Sequence, residues 1–213
     1  MVNMEENNKI PQWLNWAREI QSLGQIGLAF SENHYEKSRN RRIIEIASEI
    51  VEVHTHLSKE AVNKVFMNQP GYATPKIDVR SAVIKDGKIL LVQEADDKKW
   101  AMPGGWADVG DYPSEVAVRE TKEESGFDIK VEKIVGVFDA NRNARALEFF
   151  HAFKIVFLCK IIGGEAKKSE ETLDVNFFSF NSLPEFSQNR TNERLINEII
   201  KHIEDKNRPT LFD

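Results

Sequence analysis

The sequence predicts an α/β protein, an α/β/α sandwich with a mixed sheet, preceded by a small all-helical N-terminal domain. Three observations carry this. Residues 11–69 show helical but almost no strand periodicity. From Ile77 onward the pattern becomes alternating strands broken by glycine turns. Between those strands lies a helix of about a dozen residues dense in carboxylates, and a second amphipathic helix closes the chain.

The helical part comes first. Trp13, Leu14, Ala17, Ile20 and Leu23 recur at helical spacing, and Ile43, Ile44, Ala47, Ile50 and Val51 do so again. Ser58 is suited to cap a third, short helix carrying Ala61, Val62, Val65 and Phe66. Three such helices have a thin core, so this domain, residues 1–70, is expected to pack on the rest of the chain or on a second copy, as a dimerisation or substrate-capping element. Arg39, Arg41 and Arg42 read as an anionic-ligand patch or a solvated face, the latter favoured for so short a run. His54 and His56 with Glu52 lack a fourth metal ligand and read as surface residues.

Gly71 to Arg80 changes the grammar, and residues 71–213 form the second domain. Ile77, Val79 and Val83 begin a strand, Asp86-Gly87 turns it, and Ile89 to Val92 return. Arg80, charged among apolar neighbours, is either a structural ion pair or a phosphate ligand. Trp100 to Trp106 (WAMPGGW) approaches the acidic helix, and its paired glycines let backbone come close to a ligand. Trp106 could stack on a nucleobase or fill the core, with packing slightly favoured.

Within the acidic helix, Glu123 lies about 60° to one side of Glu120 and Glu124 about 40° to the other. Three carboxylates on one stripe repel unless a cation sits over them. Hard oxygen ligands select Mg²⁺, Mn²⁺ or Ca²⁺ over zinc. Ser114, Ala117, Val118 and Thr121 form a small-residue face for the sheet. Asp111 and Pro113 suit the first turn and Gly126 the left-handed residue after the last. After the helix, Ile129 to Asp139 and Phe149 to Ile162 read as strands around the loop Ala140 to Leu147. Its Arg142 and Arg145 serve either substrate selection or a solvated turn. A strand over Val175 to Phe178 and a helix over Arg190 to Glu204 complete the chain.

Composition narrows the class. The chain has 213 residues, 41% hydrophobic and 30% charged, with a formal net charge of -5, which leaves no basic footprint for duplex nucleic acid. Cys159, without a second cysteine to pair with, sits in an apolar run as a core thiol. No apolar run approaches a membrane span, and a cytoplasmic location is expected.

Gly105, Arg119, Glu120, Glu123, Glu124, Gly126 and Phe127 match in register the pattern G-x5-E-x7-R-E-U-x-E-E-x-G-U, U being bulky and aliphatic, so the stretch resembles the Nudix box. Asp111 stands where the pattern has Glu, and Thr121 where it has an aliphatic residue. The resemblance implies a Nudix fold from about Thr74 onward and Mg²⁺- or Mn²⁺-dependent hydrolysis of a nucleoside diphosphate linked to a moiety X. It places Glu120, Glu123, Glu124 and the Gly104 carbonyl on the metal, with Arg119 holding neighbouring carboxylates. It also makes Glu171, in a loop ahead of a strand, the candidate base, while Arg80, Trp106, Arg142 and Arg145 are the substrate candidates read from their own settings. The helical extension with TPKIDVR and PGGWADVG resembles the bacterial subgroup acting on CDP-choline or ADP-ribose, and suggests a homodimer. Rival readings are a nucleoside triphosphate or RNA 5′-end pyrophosphohydrolase and a non-catalytic nucleotide sensor.

Overall fold

The computed structural model describes residues 11–67, 71–108, 110–140 and 151–213. They fall into two compact units that divide between Pro75 and Lys76.

The first unit contains α1 (Gln12–Phe30), α2 (His34–His54) and α3 (Lys59–Met67). Asn33 begins α2 by accepting from the Glu36 amide at 2.8 Å, and the Ser58 hydroxyl accepts from the Ala61 amide at 3.3 Å. Ala17, Ile44, Ala47, Val51, Val62 and Phe66 form its core. Gly24 lets α2 approach α1, since a Cβ there would stand 2.8 Å from Ile44. Leu23, expected inside, is instead 61% exposed. Arg42 pairs with Glu49 and Glu45 at 2.8 and 3.2 Å on the surface of its own helix. His54 stacks on Trp13 and its Nδ1 meets the Ile50 carbonyl at 2.8 Å.

In the second unit, β1 (Lys76–Lys85) and β2 (Lys88–Glu94) form the hairpin, and Asp86 and Gly87 take the positive φ values, 50° and 70°, that a two-residue turn requires. β3 (Trp100–Ala101), α4 (Pro113–Ser125), β4 (Phe127–Asp139), β5 (Ala152–Gly164), β6 (Thr172–Ser179), α5 (Glu193–Glu204) and β7 (Leu211–Phe212) follow. The sheet runs β3-β2-β1-β5-β4-β7, with β6 also on β2; β1 is parallel to β5, and β4 antiparallel to it. The sheet is thus mixed, with a helix on each face. Val116 and Ala117 of α4 pack with Val79, Val83, Leu90 and Phe157 on one side. Leu195, Ile196 and Ile199 of α5 pack with Ala82, Leu91, Phe138 and Val156 on the other. The Cys159 thiol is buried on the α4 side, and burial pushes it up to about 12.

α4 departs from expectation in its inner face. Pro113 opens the helix as expected, after the N-cap Tyr112, which makes no side-chain bond, whereas Asp111 lies ahead of the first turn and accepts from Arg119. Its inner face is Val116, Ala117, Thr121, Glu124 and Ser125, whereas Val118 is 38% exposed and Ser114 is exposed. The apolar and acidic faces therefore overlap at Glu124. Gly126 ends the helix at φ 80°, as its position demands.

Truncating Ile199, fully buried between α5 and the sheet, tests the sandwich. Ile199→Ala is expected to lower unfolding free energy by about 2–5 kcal/mol in urea denaturation. A loss like that of a surface substitution would refute the packing.

Candidate functional site

β1 and β2 pair only at their hairpin end, through Ile84↔Ile89 and Lys85↔Lys88. Beyond that they part, and the chain from 100 to 107 fills the fork. Trp100 and Ala101 pair with Gln93 and Val92 of β2. Then the Pro103 and Gly105 carbonyls accept from the Ser81 and Val79 amides of β1 at 2.9 and 2.8 Å, and the Ala107 amide donates to Ile77 at 3.0 Å. The carbonyl between the first two, that of Gly104, is not part of this ladder. Gly104 has φ 142°, and a Cβ there would fall 2.0 Å from the Val79 oxygen. Only glycine fits.

α4 delivers its acids to this turn. Glu124 Oε2 accepts from the Gly104 amide at 2.9 Å, and the Glu124 side chain is buried. Burial pushes its carboxyl up to about 8, against the pull of Arg80 and the Gly104 bond. The Glu120 carboxylate occupies the space a Gly105 Cβ would need, 2.9 Å away. Arg119 bridges Asp111 Oδ2 at 3.0 Å and Glu120 Oε1 at 3.1 Å, which fixes Glu120 beside the turn. β6 is tied to the same helix, because the Thr172 hydroxyl donates to the Glu124 carbonyl at 2.8 Å.

Beneath the turn lies a chain of buried charge. Lys154 Nζ stands 3.0 Å from Asp78 Oδ2, and Asp78 Oδ1 accepts from Arg80 Nε at 2.8 Å. Arg80 Nη1 also donates to the Met102 carbonyl at 3.3 Å, while Lys154 donates to the Asn189 and Arg190 carbonyls. Burial lowers the Arg80 guanidinium pKa, yet Asp78 and then Glu124 outweigh it and leave it raised. The ion-pair reading of Arg80 is thus the one its contacts support. Glu94 is a further buried carboxylate whose pKa burial raises; Arg190 Nε lies 3.3 Å from its Oε1 without hydrogen-bond alignment. Sequence reasoning passed over Asp78, Glu94 and Lys154. Their signal was a charge beside apolar neighbours in a strand, as in Ile77-Asp78-Val79 and Phe153-Lys154-Ile155.

Other expected residues fall differently. Trp106 bridges Asp78 through backbone but is 51% exposed, so it does not fill the core. Glu123 is exposed and faces a cleft with Lys122, Lys167 and Lys168. Glu171 is exposed, its backbone held by Ser169 and Ala95. Arg142 and Arg145 lie outside the described residues. Among the described residues no three His, Cys, Asp or Glu side chains converge as a ready metal cage. The donors nonetheless fit a hard divalent cation: carboxylate oxygens and a carbonyl, with Glu124 and Glu120 both at the glycine turn.

A sandwiched mixed sheet, a glycine turn in its fork and an acidic helix against that turn define a Nudix domain. Residues 75–199 match the NUDIX domain family, and the chain belongs to the Nudix hydrolases, enzymes acting on pyrophosphate bonds. Residues 11–66 match a family described as a UDP-X-like N-terminal oligomerisation domain, which places the chain in the subgroup carrying that extension. It is 31% identical over 202 residues to YjhB of Bacillus subtilis, whose name as an ADP-ribose pyrophosphatase is provisional, covering 95% of this chain and 97% of that one. A solved UDP-X diphosphatase is similar over 94% of this chain and 98% of its own, at 30% identity and TM-score 0.61. An ADP-ribose pyrophosphatase from Streptococcus suis covers 66% of this chain and 100% of its own, at 34% identity and TM-score 0.60.

Replacing Arg80 by Ala leaves Asp78 buried with one cation fewer and frees the Met102 carbonyl. The expected loss of stability is about 3–5 kcal/mol by chemical denaturation. A loss within the range of a surface substitution would show that the buried pair does not hold the turn.

Proposed function

We propose that this chain hydrolyses the diphosphate of an X-linked nucleoside diphosphate, of CDP-choline, ADP-ribose or UDP-conjugate type, to a nucleoside monophosphate and phosphorylated X. The observation that carries the reading is the seating of Glu124 and Glu120 on the Gly104-Gly105 turn. Its conjugate class is supported by similarity along nearly the whole chain to a UDP-X diphosphatase.

Glu120, Glu123, Glu124 and the Gly104 carbonyl would hold Mg²⁺ or Mn²⁺, which supplies charge to the pyrophosphate oxygens and acidifies a water when bound. The chain's own residues do the rest. Arg119, between Asp111 and Glu120, orients Glu120. Glu171, exposed on the loop that Thr172 fastens to α4, is the proposed base that would take a proton from the attacking water. The half-exposed indole of Trp106 offers a flat apolar surface to a nucleobase.

The same reading assigns the helical unit, within residues 1–70, to self-association. Trp16, Leu23 and Phe30 are 54%, 61% and 70% exposed and recur every seventh residue of α1, so they form one stripe. A second copy of this chain is its proposed occupant.

Three experiments test these assignments. With Mg²⁺ or Mn²⁺, turnover of one diphosphate conjugate should exceed that of nucleoside triphosphates and 5′-triphosphorylated RNA. Glu120→Gln should lower kcat/KM more than about 100-fold, beyond what loss of an outer-sphere partner brings, while circular dichroism stays unchanged. Turnover retained in that variant would remove Glu120 from the site. In sedimentation, the wild-type chain should run as a dimer and the double variant Trp16→Glu, Leu23→Glu as a monomer; identical profiles would exclude the stripe.

A further inference from the structure

On the sheet face opposite α4, the end of α5 and strands β1, β4 and β5 surround a cleft of about 450 Å³. That is within the range of small-molecule sites. Ile84, Leu158 and Ile203 give it apolar walls. Lys133, Lys160 and Lys206 line it against a single carboxylate, Glu132. The cleft is therefore net positive over an apolar interior.

One wall group is out of place there unless a ligand meets it. His202 is fully buried, and neither ring nitrogen makes a well-aligned hydrogen bond, although the Val135 backbone draws on the ring. Glu198 does not supply one: its Oε1 is 3.6 Å from Nε2, and its carboxylate is engaged by Arg208 Nε at 2.5 Å and Nη2 at 3.2 Å. Burial first, and then Lys133, disfavour the charged ring; Glu198 and the Val135 backbone favour it too weakly to offset them. A neutral imidazole presents one N–H and one lone pair. Burying a ring nitrogen without an aligned partner is unfavourable, so such a group in a cleft wall marks a place where a polar ligand atom belongs.

The lysines keep donors to spare. Lys133 donates to the Lys206 and Arg208 carbonyls, and Lys160 stands 3.1 Å from Glu132, yet an ammonium has three N–H groups. We propose that this cleft is a second binding site, distinct from the acidic helix, for a small organic acid with an apolar body. Its carboxylate sits among Lys133, Lys160 and Lys206, its chain lies on Ile84, Leu158 and Ile203, and His202 completes the hydrogen bonding. A purely inorganic anion leaves the apolar walls and His202 unmatched; an amine meets like charge.

Isothermal titration of the full chain with sodium hexanoate tests this, with inorganic phosphate and hexylammonium as comparisons and long-range ¹H–¹⁵N spectra of the histidine rings as a second readout. The expected result is saturable hexanoate binding that shifts the ring resonances assigned to His202 by their absence in His202→Gln. Phosphate should bind at least about tenfold more weakly and hexylammonium not at all. Lys206→Glu, an exposed change, and Leu158→Trp, which fills the cleft, should each weaken hexanoate by about tenfold or more. Failure of the folded protein to bind hexanoate saturably, equal binding of phosphate, or unchanged hexanoate affinity in both variants would overturn the proposal.

Discussion

The site depends on a missing atom. With a Cβ 2.0 Å from the Val79 oxygen, residue 104 could not lie on β1. The Pro103 and Gly105 carbonyls would then lose their partners on β1, and the Gly104 amide would move away from Glu124. The close approach of two backbones therefore sets the position of the acidic helix. Asp78, Arg80 and Lys154 reinforce it from below, since Arg80 reaches the Met102 carbonyl two residues before the turn. Buried ions are weak contributors to net stability but strict about geometry, because any displacement leaves a charge without its partner.

Much of this was legible in the sequence, for reasons that can be stated residue by residue. The Asp86-Gly87 turn, the Ser58 cap and the Gly126 terminus each encode a backbone conformation locally. The spacing of Glu120, Glu123 and Glu124 encodes a helix face. What was not legible depends on partners distant along the chain. β3 and β7 are two residues each, too short to show a period. Helical angles put Glu124 with its fellow acids, but only the fork between β1 and β2 determines that it is buried while Glu123 is exposed. Asp111 suited the first turn of the helix, but its partner is Arg119, nearly two turns further on. Trp106 was read from its size, yet its backbone pairing with Asp78 leaves the ring half in water.

The two faces of the sheet differ in how they treat charge. On the α4 side, acids converge on a backbone turn. On the α5 side, lysines border an apolar recess with a neutral histidine in its wall. Alternation along β1 and β5 separates them, since neighbouring residues of a strand point to opposite faces: Leu158 packs toward α5 and Cys159 toward α4. Two chemically distinct surfaces are thereby carried by adjacent residues of the same strands.

The parallel pairing at the centre of the sheet also orders events in time. Every partner of β1 on β5 is 76 positions away, from Lys76↔Ala152 to Ile84↔Lys160. The hairpin of β1 with β2 closes across two residues. Loop closure over the longer span must be completed before its contacts repay it, so the hairpin can form early while the central pairing nucleates late. Until β5 arrives, β1 is an open strand edge with apolar residues on both faces, and the nascent chain is most exposed to misassociation during the interval in which α4 and β4 are made.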